Sequence, residues 1–237
     1  MKLAIQAVAT FLLAILSGCT NQPGIKSINT NKASILVDTP RSFVRNYNSE
    51  NNPLFVFVGE KISIQSLPNR KGSMDNGFTA KYLVLEKVYG NFLFDTIEFI
   101  AYDHYGVPNF SKYKNALLFV SADSGTYYHQ KYMYNDVYKT KEGRWAGAYA
   151  YEDYSHEYNK RTKVKPVKIE FAEEVSYPTK TIYDGKEMTV SYPKPYFKTI
   201  GDRAIAVYGN YVEDLFKLKR DGYLTERGLF GNKKVIP

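Results

Sequence analysis

Three histidines, His104, His129 and His156, are the side chains best suited to proton transfer or metal ligation near neutral pH. They are too few and too far apart for a recognisable ligand spacing. Neither a His-Glu-x-x-His pair nor a paired-carboxylate motif accompanies them, so no metal and no cofactor are expected. Asp103-His104 sits after a predicted strand with Ser111 and Ser121 downstream, the residue types a serine hydrolase would use. A nucleophile elbow needs Gly-x-Ser-x-Gly between a strand and a helix, and Ser124-Gly125 has no glycine ahead of it at that offset. The glycines form neither Gly-x-Gly-x-x-Gly nor a Walker loop, which argues against nucleotide chemistry. The single cysteine, Cys19, leaves no second thiol for a disulfide, a cysteine metal site or a redox pair.

Cys19 has a setting of its own. It follows Lys2, the apolar run from Leu3 to Ile15, and Leu16-Ser17-Gly18. A positively charged start, a short apolar stretch and small residues before a cut site are the parts of a secretory signal. The apolar run is well under the ~20 residues a spanning helix needs. Leu16-Ser17-Gly18-Cys19 resembles the lipobox of bacterial lipoproteins, in which the cysteine is acylated and becomes the mature N-terminus. The resemblance implies a signal peptide over 1–18, lipid attachment at Cys19 and a membrane-anchored chain. Several acyl chains on one residue hold a protein to a bilayer far more firmly than one chain, since each buried methylene contributes about 0.8 kcal/mol. Thr20 stands where many inner-membrane lipoproteins carry Asp, so the resemblance implies the bacterial cell envelope, at the outer membrane facing the periplasm.

Tyrosine is the commonest aromatic, 22 residues against 14 phenylalanines and one tryptophan. Such residues favour half-buried pleated surfaces, and the chain reads as mainly β. From Tyr127 onward Tyr128, Gln130, Tyr132, Tyr134, Asp136 and Tyr138 alternate, and after a turn come Trp145, Gly147, Tyr149 and Tyr151, a pattern for an aromatic ribbon. Rings with a polar tip can stack on sugars or grip peptides at low entropy cost, which makes Tyr128, Tyr132, Tyr134, Trp145, Tyr149 and Tyr151 the candidate partner-binding residues. Packing on neighbouring strands is the simpler use of the same residues. The formal charge of +8 would suit an acidic envelope partner, and nucleic acid is not expected in that compartment.

These residues need elements to hold them. Residues 19–53, rich in Asn and Ser, read as a lipidated N-terminus and tether. At Leu54 a dense apolar run begins, LFVFVGEKISIQSL, a long strand with a kink or bulge at Gly59. FTAKYLVLEKVYGN puts Phe78, Ala80, Tyr82 and Val84 on one face, and TIEFIAY and NALLFV add two more strands. Residues 163 to 175 are strand-like. In TKTIYDGKEMTVSY, Asp184-Gly185 suits a type I′ hairpin turn. A helix follows, with Asn210 as cap, Val212, Leu215 and Phe216 as its buried stripe, basic residues at its end and Gly222 as its stop.

The strand order and the glycine in the first strand resemble OB-folds over residues 54–151, particularly bacterial lipoprotein relatives of the netrin and metalloproteinase-inhibitor modules. FVFVGEKISI would be the first strand, AKYLVLEKVYG the second, DTIEFIAY the third and ALLFVS a later one. The animal inhibitors use disulfides and a free N-terminal cysteine amine against zinc; an acylated Cys19 cannot do this, so metalloproteinase inhibition is not implied. The expected architecture is an OB-like small barrel extended by a Tyr-rich ribbon and a hairpin, with a C-terminal α-helix, and 152–237 as an extension of the barrel. The expected role is a non-enzymatic, lipid-anchored protein that binds a protein partner, as an envelope assembly component or an immunity-type inhibitor. Glycan binding, to peptidoglycan or lipopolysaccharide, is the alternative, and a hydrolase whose residues converge only in three dimensions is the third reading.

Overall fold

Two strands of this protein are apolar on both faces, and that decides how the rest is arranged. The computed structural model describes residues 54–68 and 72–230; the expected signal peptide over 1–18, Cys19 and the expected tether over 19–53 lie outside them. β1 (Leu54–Ser66), β2 (Asn76–Tyr89), β3 (Thr96–Asp103), β4 (Asn115–Asp123) and β5 (Thr126–Asp136) close into a barrel in the order β1-β2-β3-β5-β4. All its ladders are antiparallel except β3 with β5, where Ile100 faces Tyr128 in parallel. This is the OB-like barrel expected from the sequence. It ends at Asp136, earlier than residue 151, because the strands that follow belong to another sheet.

Phe55 and Phe57 of β1 point into the barrel with Ala80, Tyr82, Ile97, Phe99, Phe110, Leu118 and Val120. Leu54, Val56 and Val58 point the other way and join Leu117 and Phe119 of β4. Their outer core is completed by Val212, Leu215, Phe216, Leu224 and Leu229 from the end of the chain. The continuous apolar runs LFVFV and ALLFV follow from this two-sided burial. β2 alternates instead, with Phe78, Ala80 and Tyr82 buried and Leu83 and Leu85 exposed on its open outer face.

The first strand pair is irregular at the expected place, with a register shift between Val58 and Gly59. A Cβ on Gly59 would lie 2.9 Å from Phe57 Cε2 and 2.9 Å from Tyr82 Cδ1, both in rigid rings. Gly59→Ala is therefore expected to destabilise the protein by roughly 1–3 kcal/mol through overpacking, read as a lower urea midpoint at unchanged m-value. An unchanged midpoint would show that the rings yield without cost.

Beyond the barrel, β6 (Tyr138–Lys139), β7 (Trp145–Ala148), β14 (Tyr208–Tyr211) and β8 (Val167–Lys168) form a four-stranded sheet in the order β6-β7-β14-β8. Hydrogen bonds from Lys141 N to Glu170 O and from Ala172 N to Lys139 O join the chain after β8 back to β6 and curl this sheet. β9 (Ser176–Pro178), β12 (Phe197–Ile200) and β13 (Arg203–Ala206) make a second small sheet over a core of Ala146, Ile169, Phe171, Val175 and Phe197. The hairpin β10 (Lys180–Tyr183) and β11 (Lys186–Thr189) forms as expected, with Asp184 and Gly185 both at positive φ. The strand-like segment 163–175 is ordered into only two residues of strand.

α1 (Tyr151–Ser155) and α2 (Val212–Lys219) complete the extension, and no helix among the described residues is long and apolar enough to cross a membrane. The buried stripe of α2 is the expected one. Its boundaries are not. Tyr211 is the N-cap, because the Asn210 side chain lies in β14, accepting from Tyr154 Oη and donating to Lys165 O. Gly222 does not stop the helix, which continues as a π-helical turn over Arg220–Leu224; Gly222 is instead pressed against Asn159 Oδ1.

Candidate functional site

β5 is interrupted opposite Phe119. Val120 pairs with His129 and Leu118 with Tyr134, so the four residues Gln130 to Met133 loop out against one residue of β4. Tyr132 takes up the bend with φ of 66°. For a non-glycine residue this left-handed conformation persists only where surrounding contacts impose it. They come from three directions. His129 Nε2–H donates to Met133 O at 2.9 Å across the bulge. Arg227 donates to Gln130 Oε1 at 3.1 Å and to Lys131 O at 3.2 Å. Lys131 Nζ meets Asp75 Oδ2 at 2.6 Å, in the loop between β1 and β2.

The bulge stands beside two loops. His104 Nδ1–H donates to Met74 O at 2.8 Å and its ring meets Tyr105 edge-on at 5.2 Å. Tyr105 N donates to Asp103 Oδ1, turning the loop after β3 back on itself, and the Tyr105 and Tyr132 rings lie 6.3 Å apart. Met74 and Tyr105 are 79% and 87% exposed, and Val107 and Tyr132 are more than half exposed. Met74, Tyr105 and Tyr132 thus stand exposed on backbone held by polar contacts.

Below these side chains is a cleft lined by Tyr102, Asp103, Asn109, Phe110, His129, Tyr132 and Tyr134, with about 20 Å³ of free space. That is room for one water molecule. Burial pushes the His129 imidazole down to about 4, and the nearby Arg227 adds to this against the opposing bond to Met133 O. Its ring lies against Phe110 at 4.6 Å and Phe99 at 6.0 Å. Burial also holds the Tyr134 phenol well above its ordinary value, helped by Tyr113 and Asp136. At neutral pH the cleft therefore presents an uncharged imidazole and an uncharged phenol.

The depressed His129 value has a measurable sign. Between pH 6.5 and about 4 the unfolded chain binds a proton that the folded chain refuses, so stability present above pH 6.5 is lost on acidification. The loss is expected to reach up to about 3 kcal/mol and to level off below pH 4 for this group. Urea midpoints at pH 7 and pH 4.5 should converge in His129→Phe; an unchanged pH dependence in that variant would remove His129 from the account.

The serine hydrolase residues do not assemble. Ser121 is buried with its hydroxyl accepting from Gln130 Nε2, and Ser111 lies on a 3-10 turn where its carbonyl accepts from Lys61. Among the described residues neither hydroxyl is hydrogen-bonded to a histidine. His156 is elsewhere, packed on Tyr223 at 4.2 Å, and no three metal-binding side chains gather among the described residues.

The tyrosine series is divided by the bulge. The ribbon is realised only as β6 paired with β7, while β5 stays in the barrel. Tyr128 is half-buried on the ladders to β3 and β4. Tyr134 packs beside Phe110 and Tyr113. Trp145 is buried in the outer core with Lys139 Nζ 4.2 Å from its ring centre. Tyr149 stacks on Tyr196 at 3.8 Å and on Tyr154 at 5.3 Å, so its faces are already occupied. Only Tyr132 and Tyr151, the latter 61% exposed, present more than half of their surface to solvent. Met74, Tyr105 and Val107 were not legible as site residues, since they sit singly in loops with no periodicity.

No protein-family model matches the chain, no curated protein matches it, and no solved structure matches it.

Proposed function

We propose that this chain is a lipid-anchored envelope protein, held through Cys19, whose barrel end docks a protein partner without catalysing a reaction. The observation that carries this reading is the exposed pair Tyr105 and Tyr132, their rings 6.3 Å apart on backbone held by polar contacts, with the exposed Met74 on the neighbouring loop. Neighbouring exposed aromatic side chains suit the centre of a protein interface, and their prior ordering lowers the entropy cost of association. Among the described residues no serine hydroxyl is hydrogen-bonded to the His129 imidazole, which instead donates to Met133 O. The lipobox resemblance and the secretory signal pattern support the anchor and an outer-membrane, periplasm-facing address.

The test is crosslinking in living cells of the tagged full-length chain, with denaturing capture and mass spectrometry. One dominant protein, lost in Cys19→Ala and reduced at least several-fold in Tyr105→Ala plus Tyr132→Ala, is the expected result. Capture that is indifferent to the two tyrosines would overturn the docking face, and capture indifferent to Cys19 would overturn the anchor.

A further inference from the structure

A second surface, in the extension, carries charge rather than rings. Lys160, Lys163, Lys165 and Lys168 are all exposed, and the stretch from Tyr158 to Ile169 holds no acidic residue. None of the four ammonium groups has an ion-pair partner among the described residues. The next acid in the chain, Glu170, is engaged by Lys141 at 3.2 Å.

The strip is held in place. Val164 and Ile169 are buried beneath it, Asn210 Nδ2 donates to Lys165 O at 3.0 Å, and Lys168 pairs with Tyr208 across the sheet. Val167, 42% exposed, stands among the lysines. Tyr149 N donates to Tyr208 O, which brings the chain leading to the exposed Tyr151 alongside.

We infer that the Lys160–Lys168 strip is a membrane-docking face that binds the anionic headgroups of a phospholipid surface. Four exposed lysines without an ion-pair partner among the described residues, running from the 3-10 turn at Lys160 to the short strand at Lys168, complement a sheet of phosphates, and each lysine near such a surface strengthens binding about fivefold. An exposed valine and a tyrosine beside them suit the headgroup boundary, where apolar bodies with polar tips reside. Sugar recognition is less well served, because the aromatic rings around the strip are engaged with one another: Tyr149 with Tyr154 and Tyr196, Tyr208 with Tyr196, and Tyr158 with Tyr223. Docking here would lay the extension on the bilayer to which the proposed Cys19 anchor ties the chain; the first arm of the test rests on that anchor.

The lipidated full chain is reconstituted into vesicles of phosphatidylcholine alone and into vesicles of about one-third phosphatidylglycerol, and lysines are labelled with an amine-reactive reagent and read by mass spectrometry. Labelling of Lys160, Lys163, Lys165 and Lys168 is expected to fall at least fivefold on the anionic vesicles, and to return in ~1 M salt, where the screening length shrinks to about 3 Å. Equal labelling on both vesicles overturns the strip and leaves the anchor standing. A chain that fails to enter neutral vesicles but floats with anionic ones overturns the anchor and keeps the strip. Protection seen on whole envelopes and absent on anionic vesicles would assign the lysines to a protein or acidic glycan and overturn the lipid assignment.

Discussion

Asp153→Ala should cost about 3–5 kcal/mol, a large part of the stability of a protein this size. Asp153 and Lys219 are 8% and 6% exposed and form an ion pair across 66 residues of chain. Asn135 Nδ2 donates to the other carboxylate oxygen at 2.8 Å, and Asn159 Nδ2 donates to Asp153 O at 2.9 Å. One carboxylate thus ties α1, β5 and α2 together. Removing it strands a buried ammonium and an amide donor, and the loss is the desolvation of those groups rather than the worth of the pair. Asp153→Ala combined with Lys219→Met should recover most of the deficit, because the charge is removed with its partner. Urea denaturation of the two single variants and the double decides it. A double variant no better than Asp153→Ala would mean that the network, not the charge, is what matters.

Alkali should unfold the protein abruptly. Burial holds the phenols of Tyr82, Tyr134, Tyr138, Tyr154 and Tyr177 well above the ordinary value of 10.0, with Asp136 adding to the rise at Tyr134, Tyr138 and Tyr177. Tyr138 and Tyr177 both donate to Asp136 Oδ2, at 2.9 and 2.6 Å. Below pH 10 both states keep these protons and nothing changes. Above it the unfolded chain releases protons that the folded chain retains, so stability falls as pH rises. Each group contributes about 1.4 kcal/mol per pH unit, so five together remove roughly 7 kcal/mol per unit. The far-ultraviolet dichroism should collapse within one to two units above pH 10, together with a late step in phenolate absorbance. Tyr82→Phe should move that collapse upward, since the Tyr82 hydroxyl is buried without a hydrogen-bond partner among the described residues and its loss relieves the native state. Smooth ionisation of every tyrosine near pH 10 with the dichroism intact would refute the account.

Local signals were legible in the sequence and long-range ones were not. The Asp184-Gly185 hairpin, the irregularity at Gly59 and the buried stripe of α2 each follow from residues within a few positions of one another. The alternation of β2 likewise told its two faces apart. The apolar runs of β1 and β4 marked strands, but only the fold shows that a second core covers their outer faces. Lys219 reads as a cation at a helix end and is instead the buried mate of Asp153. Asn210 reads as a cap because Glu213 follows it, whereas its amide bridges Lys165 and Tyr154. The site was half visible: Asp103-His104, His129, Tyr132 and Tyr134 stood out by type. A bulge leaves the alternation of tyrosines on paper intact while turning their side chains apart, so the division of the series, and the convergence of Tyr132 with Tyr105 and Met74, needed the topology.

The two-sided burial of β1 also sets an order in time. Leu54, Val56 and Val58 are among the first described residues to be synthesised, and the side chains that cover them, from Val212 to Leu229, follow more than 150 residues later. Until that end of the chain is available, a closed barrel would carry a bare apolar stripe along β1 and β4, open to association with other chains. Contacts at such separation are slow to form. The outer face of β1 and β4 therefore stays open until residues 212–229 have been added and folded against it.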